Sequence, residues 1–184
     1  MEIPKTLIKY RFHLLILGLI LFGIGWRLIP HIPNFAPIGA IAITAGMMLH
    51  WRKAVFIPLV IMIITDITIG LYSGFIWTWL SVAIIPLAGY LLRRLPQTWR
   101  ISFGALGASL IFFIVSNFGV WVASGMYSHT LTGLIDCYVM ALPFLRATLV
   151  SDLVFTATFI TVFEYSATLL KTRTTHLLSV AKHA

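Results

Sequence analysis

Three acids fall inside strongly apolar stretches of this chain: Asp66, Asp152 and Glu164. A carboxylate in a bilayer interior costs a few kcal/mol even on lenient insertion scales, so each must face a partner, a cavity or water. Two basic residues, Arg27 and Arg146, stand apart from the other charges, and His31, Asn34 and Asn117 lie in comparable positions. Carboxylates, guanidiniums, an imidazole and amides at one depth of a helical bundle have the chemistry of a ligand pocket built from charge-assisted hydrogen bonds. The aromatics Trp121 and Tyr138 belong to the same end and would cover apolar faces of a ligand. A buried Asp–Arg pair can equally serve to hold helices together, and both readings stand at this point.

The elements that position these groups follow from hydropathy. Of 184 residues, 60% are hydrophobic and 10% charged, with a mean hydropathy of +0.99, the composition of an all-α membrane protein folded as one domain. Helices of about 20 apolar residues span a hydrocarbon core of roughly 30 Å. The apolar runs and their breakers predict six transmembrane helices at about 12–29, 35–50, 54–72, 76–92, 101–123 and 143–170. The segment 124–142 reads as a lid or short re-entrant helix. The first run is longer than the h-region of a secretory signal and lacks a small-residue cleavage site, so it reads as a retained helix.

Eleven of the 13 lysines and arginines fall on one side of this arrangement: Lys5, Lys9, Arg11, Arg52, Lys53, Arg93, Arg94, Arg100, Lys171, Arg173 and Lys182. The positive-inside rule then places both termini in the cytoplasm of a bacterial inner membrane. The net charge of +8 is topological and calls for no nucleic acid. Only Arg27 and Arg146 remain unexplained, both at outward-facing helix ends. Asp66 lies about twelve residues, or ~18 Å, from the cytoplasmic start of its helix, and Asp152 ~14 Å below the outer end of its own. Arg146 and Asp152 are six apart and so about 120° off one face, which makes Arg146 with Asp66 the preferred interhelical pair. Glu164, near the cytoplasmic end, reads as structural.

"RLIPHIPNFAPIGA", residues 27–40, joins the first two helices. Pro30 and Pro33 hold His31 in extended backbone. Asn34 reads as the N-cap of the second helix, with Pro37 in its first turn. That helix start offers free N–H groups and a positive dipole end to an anionic or carbonyl-bearing ligand. Ala36, Ala40, Ala42 and Gly46, with Gly104 and Ala108, read as close-packing faces, either within the bundle or toward another membrane subunit.

No phosphate-binding loop and no H-E-x-x-H motif is present, and "GALGASL" lacks the glycine after its serine that an intramembrane serine protease needs. The single cysteine, Cys137, excludes an internal disulfide. The chain therefore does not read as an enzyme, and no intrinsic cofactor is expected.

The stretches "RLIPHIPNFAPIGAIAITAGMML", "PLVIMIITDITIGLY" and "SNFGVWVASGMYSHTLTGLIDCYVMALPFLRATLVSDLVF" resemble an uncharacterised family of bacterial six-helix membrane proteins. That family is similar to the substrate-binding S-components of energy-coupling factor vitamin transporters, the solitary cobalamin-transporting kind above all. The resemblance runs from Arg27 to about Phe163 and implies an S-component-like bundle with His31, Asp66 and Arg146 at an outward-facing ligand site. It implies a vitamin-like substrate such as cobalamin or a related corrinoid, and an energy-coupling membrane subunit with ATPases as partner. Solitary cobalamin transporters carry a cysteine at the cobalt after the third helix; "LYSGFIWTWLSV" has none, which leaves His31 as the candidate cobalt ligand. The expectation is thus a membrane uptake protein whose pocket comprises Arg27, His31, Asn34, Asp66, Asn117, Trp121, Tyr138, Arg146 and Asp152. The alternative is a non-transport scaffold or accessory subunit with structural ion pairs.

Overall fold

The computed structural model describes the backbone of residues 5–183 and the side chains of residues 13–168. The side chains of Lys5, Lys9, Arg11, Lys171, Arg173 and Lys182 lie outside the described residues. The chain is all helical over the described residues: α1 (Lys5–Leu28), α2 (Ile38–Met48), the single turn α3 (Trp51–Ala54), α4 (Phe56–Ile69), α5 (Phe75–Leu92), α6 (Gln97–Ala123) and α7 (Leu131–His183). Three segments, Phe75–Leu92, Gln97–Ala123 and Leu131–Thr168, have the length and apolarity of membrane-spanning helices.

The expected second helix, 35–50, is shorter at both ends. At 11 residues it is about 16 Å long, half a hydrocarbon core. It survives because it is buried on every side: Ala40, Ile41, Ala42, Ile43 and Thr44 are fully enclosed, and Ala45, Gly46 and Met47 are buried. Around it stand α5, α7, α6, α4 and α1. The small residues do the work expected of them inside the bundle. A Cβ at Gly46 would fall on the Pro86 carbonyl of α5, and one at Gly89 on the Ile43 carbonyl of α2. The two backbones are therefore in direct contact, the geometry that lets dispersion and Cα–H contacts hold helices together in lipid.

Asn34 is not the N-cap. Its φ of +61° and the hydrogen bond from Phe35 N to Ile32 O at 3.0 Å make Ile32–Phe35 a β-turn with Pro33 and Asn34 at the corners. Proline fixes the first corner and asparagine tolerates the left-handed second one, which delays the helix until Pro37 occupies the cap position without a capping side chain. Trp26 donates its indole N–H to Phe35 O at 2.9 Å, and Ser151 Oγ donates to Ala36 O at 3.0 Å. The turn is pinned from both sides. Trp26 and Phe35 also meet Phe155 edge-on, at centroid separations of 5.0 and 5.8 Å.

The expected lid over 124–142 is also corrected. Helix α7 starts at Leu131 and runs through Pro143 without a break, so only the stretch 124–130 is irregular. A proline removes one N–H and crowds the preceding turn, yet neighbouring helices sustain the rest of the ladder. Helix α4 stops at Gly70, whose φ of +112° suits glycine alone. Near the opposite end of the bundle Arg100 pairs with Glu164, the structural role expected for that acid.

Candidate functional site

The C-terminal ends of α1, α4 and α6 and the N-terminal ends of α2, α5 and α7 gather at one end of the bundle. Three adjoining cavities open there, of about 190, 380 and 290 Å³. Asn34 lines all three. The first also takes in Arg27, His31, Gly39, Thr78, Thr148 and Asp152. The second shares Arg27, Thr78 and Thr148 and adds Tyr72, Ser116 and Asn117. The third is bounded by Asn117, Tyr127, Cys137 and Phe144.

Asp66 lies just behind this wall, 1% exposed. Its partner is Arg27, not Arg146. Arg27 Nη2 meets Asp66 Oδ1 at 2.5 Å, Arg27 Nη1 lies 2.9 Å from the Met62 sulfur, and Trp79 Nε1 donates to Asp66 Oδ2 at 2.7 Å. Both carboxylate oxygens are satisfied, which is what makes an ion tolerable away from water. Trp79 was legible in the sequence only as one aromatic among many at this end; the N–H at its ring edge is what the carboxylate uses.

Asp152, also 1% exposed, makes no ion pair among the described residues. Oδ2 accepts from Ser109 Oγ at 2.7 Å, while Oδ1 has no hydrogen-bond partner. A Cβ on Gly39 would lie 2.5 Å from Oδ1 and 2.8 Å from Oδ2. Asp152 therefore sits on the first turn of α2, where N–H groups have no intrahelical acceptor and the helix dipole is positive. The anion position that the sequence seemed to offer to a ligand is filled by the chain's own carboxylate, and glycine at position 39 is what lets it approach.

Arg146 is exposed on α7 and makes no ion pair among the described residues. The six-residue separation from Asp152 explains this: once Asp152 turns inward, a residue about 120° around the helix turns out. Residues spaced by four from Asp152 point inward instead, and Thr148 and Thr156 are buried. Thr148 was missed, and that spacing was the signal for it.

His31 is exposed at the rim, its Nδ1 lying 2.8 Å from Ile29 O. A carbonyl only accepts, so Nδ1 carries a proton, and the neutral ring then keeps its lone pair on Nε2. Asn117 donates through Nδ2 to Phe113 O at 2.8 Å, leaving its amide oxygen for other partners. Trp121 and Tyr138 do not line the cavities. Trp121 donates to Ser128 O at 2.9 Å, and Tyr138 donates to Ile114 O at 2.7 Å. Their polar ends hold the α6–α7 connection and the α6–α7 packing. Among the described residues no three His, Cys, Asp or Glu side chains come together as a metal site.

One family model matches residues 8–175, nearly the whole chain. The chain belongs to DUF6580, a family of unknown function. No curated protein and no solved structure matches it. The matched span contains every cavity-lining residue named above, from Arg27 to Asp152, together with both buried carboxylates. The cavity is thus built wholly within the DUF6580 region of the chain.

Proposed function

We propose that this DUF6580 protein is a membrane uptake protein that captures a vitamin-like small molecule in the cavities at the Arg27 end of the bundle. The observation that carries the reading is the convergence of six helix ends on three adjoining cavities that all touch Asn34. The second, at about 380 Å³, falls in the range of small-molecule sites, which runs from about 300 Å³ upward. Apolar walls such as Phe112, Phe144 and Val120 combine with a few fixed polar groups, the division of labour by which such sites obtain affinity from area and orientation from hydrogen bonds.

The excess of basic residues at the other end supports an inner-membrane orientation with both termini in the cytoplasm, so that the cavities face outward. The resemblance to S-components of vitamin transporters supports the same reading, with an energy-coupling subunit and its ATPases as the source of work. A single cavity is smaller than a corrinoid, which favours a smaller ring compound, or a corrinoid of which only one edge enters. In the latter case the free Nε2 of His31 is the group suited to cobalt.

The test is growth of an auxotroph whose only uptake route is this protein, with a panel of vitamins that includes cobalamin, alongside ligand-induced thermal stabilisation of the purified protein. Absence of both across the panel rejects uptake. A second reading, a membrane scaffold, draws on the Arg27–Asp66–Trp79 arrangement, in which both carboxylate oxygens are satisfied without a ligand. It expects a stable protein that responds to no compound.

A further inference from the structure

This inference rests on the uptake reading and concerns the chemistry of the captured molecule. Sequence alone leaves an anionic and a carbonyl-bearing ligand both open, since two arginines and a helix N-terminus are expected at the site. In the structure each of these positive features is either paired with a carboxylate or turned away from the cavities. Arg146 is on the outside of α7. Arg27, 19% exposed, is matched by Asp66, and the start of α2 is matched by Asp152. Of the ionisable groups, the first cavity is lined by Arg27, His31 and Asp152, with Asp66 paired to Arg27 behind its wall.

An entering carboxylate or phosphate would find, among the described residues lining the cavities, no cation other than Arg27, which is already paired with Asp66. What remains for recognition is neutral. Asn34, Asn117, Thr78 and Thr148 each lack charge and present donors or acceptors, His31 presents the free Nε2, and Phe112 and Phe144 give flat apolar walls.

We propose that the cavity selects an uncharged ring compound that carries both hydrogen-bond donors and acceptors and has no phosphate or carboxylate.

Thermal stabilisation of the full-length protein in lipid nanodiscs, with pairs of compounds that differ in charge, tests this directly. The pairs are nicotinamide with nicotinate and riboflavin with riboflavin 5′-phosphate; thiamine supplies a cation. The expected result is apparent affinity at least about tenfold higher for the neutral member of a pair, the factor that 1.4 kcal/mol represents. Equal or tighter binding by nicotinate or riboflavin 5′-phosphate overturns the inference and leaves uptake standing. Preference for thiamine over both neutral compounds also overturns it, and assigns Asp152 to a cationic group. Silence from all five compounds overturns it as well, and the growth assay then decides alone whether the uptake reading survives. A second measurement uses Asp66→Asn, which frees the Arg27 guanidinium at the cavity wall. Nicotinate should gain on nicotinamide in that variant, and an unchanged ratio would remove the neutralised pair as the cause of selectivity.

Discussion

Asp66 holds Arg27 through one carboxylate oxygen at 2.5 Å and Trp79 through the other at 2.7 Å. One side chain of α4 thereby ties the end of α1 to the start of α5, and the cavity wall contains a guanidinium whose charge is already answered.

Removing one member of a buried ion pair leaves the other uncompensated, at a cost of about 3–5 kcal/mol, whereas replacing both by apolar residues is far milder. Arg27→Met should therefore lower the unfolding midpoint more than Arg27→Met combined with Asp66→Leu. Thermal unfolding in one detergent compares them, and a double variant less stable than the single one would contradict the closed-pair description.

Arg146 provides the complementary case. With no ion pair among the described residues and an exposed position, Arg146→Gln should change stability by no more than about 0.5 kcal/mol. A loss comparable to that of Arg27→Met in the same assay would show that Arg146 has a partner.

At position 39 the space for a methyl group is occupied by the Asp152 carboxylate. Gly39→Ala should destabilise by about 1–3 kcal/mol, the usual cost of overpacking a close-packed interior. Shortening the acid in the combination Gly39→Ala with Asp152→Ser should recover part of that loss. A Gly39→Ala protein as stable as the parent would mean that Asp152 does not lie on the first turn of α2.

Asn34 separates folding from binding. Its left-handed backbone suits glycine at least as well, so Asn34→Gly should keep the unfolding midpoint close to the parent's while weakening ligand-induced stabilisation several-fold. Asn34→Val should lose stability outright, because a β-branched residue is strained at positive φ. Unchanged ligand response in Asn34→Gly would exclude this amide from recognition.

Much of the architecture was legible in periodicity and composition. Residues 76–92 were expected as a helix and Phe75–Leu92 is one; the buried placement of Asp66 and Asp152 followed from the cost of exposing a carboxylate to lipid. The partner of Asp66 was not legible. Choosing between Arg27 and Arg146 depends on how each helix is rotated about its own axis, and an almost uniformly apolar helix carries little information about that rotation. Breakers misled in both directions. Pro143 lies within a continuous helix because packing from neighbours offsets the lost hydrogen bond, and Asn34 serves a turn because Pro33 beside it supplies the matching corner. The filled start of α2 could not be anticipated, since it pairs residues 39 and 152, more than a hundred positions apart.

The continuity of α7 joins the two ends of the molecule. Phe144, on a cavity wall, and Glu164, paired with Arg100, belong to one rod about 30 Å apart along its axis. The helix runs unbroken between them, so a displacement of α7 at the cavity wall cannot be absorbed by a hinge before it reaches the Glu164–Arg100 contact.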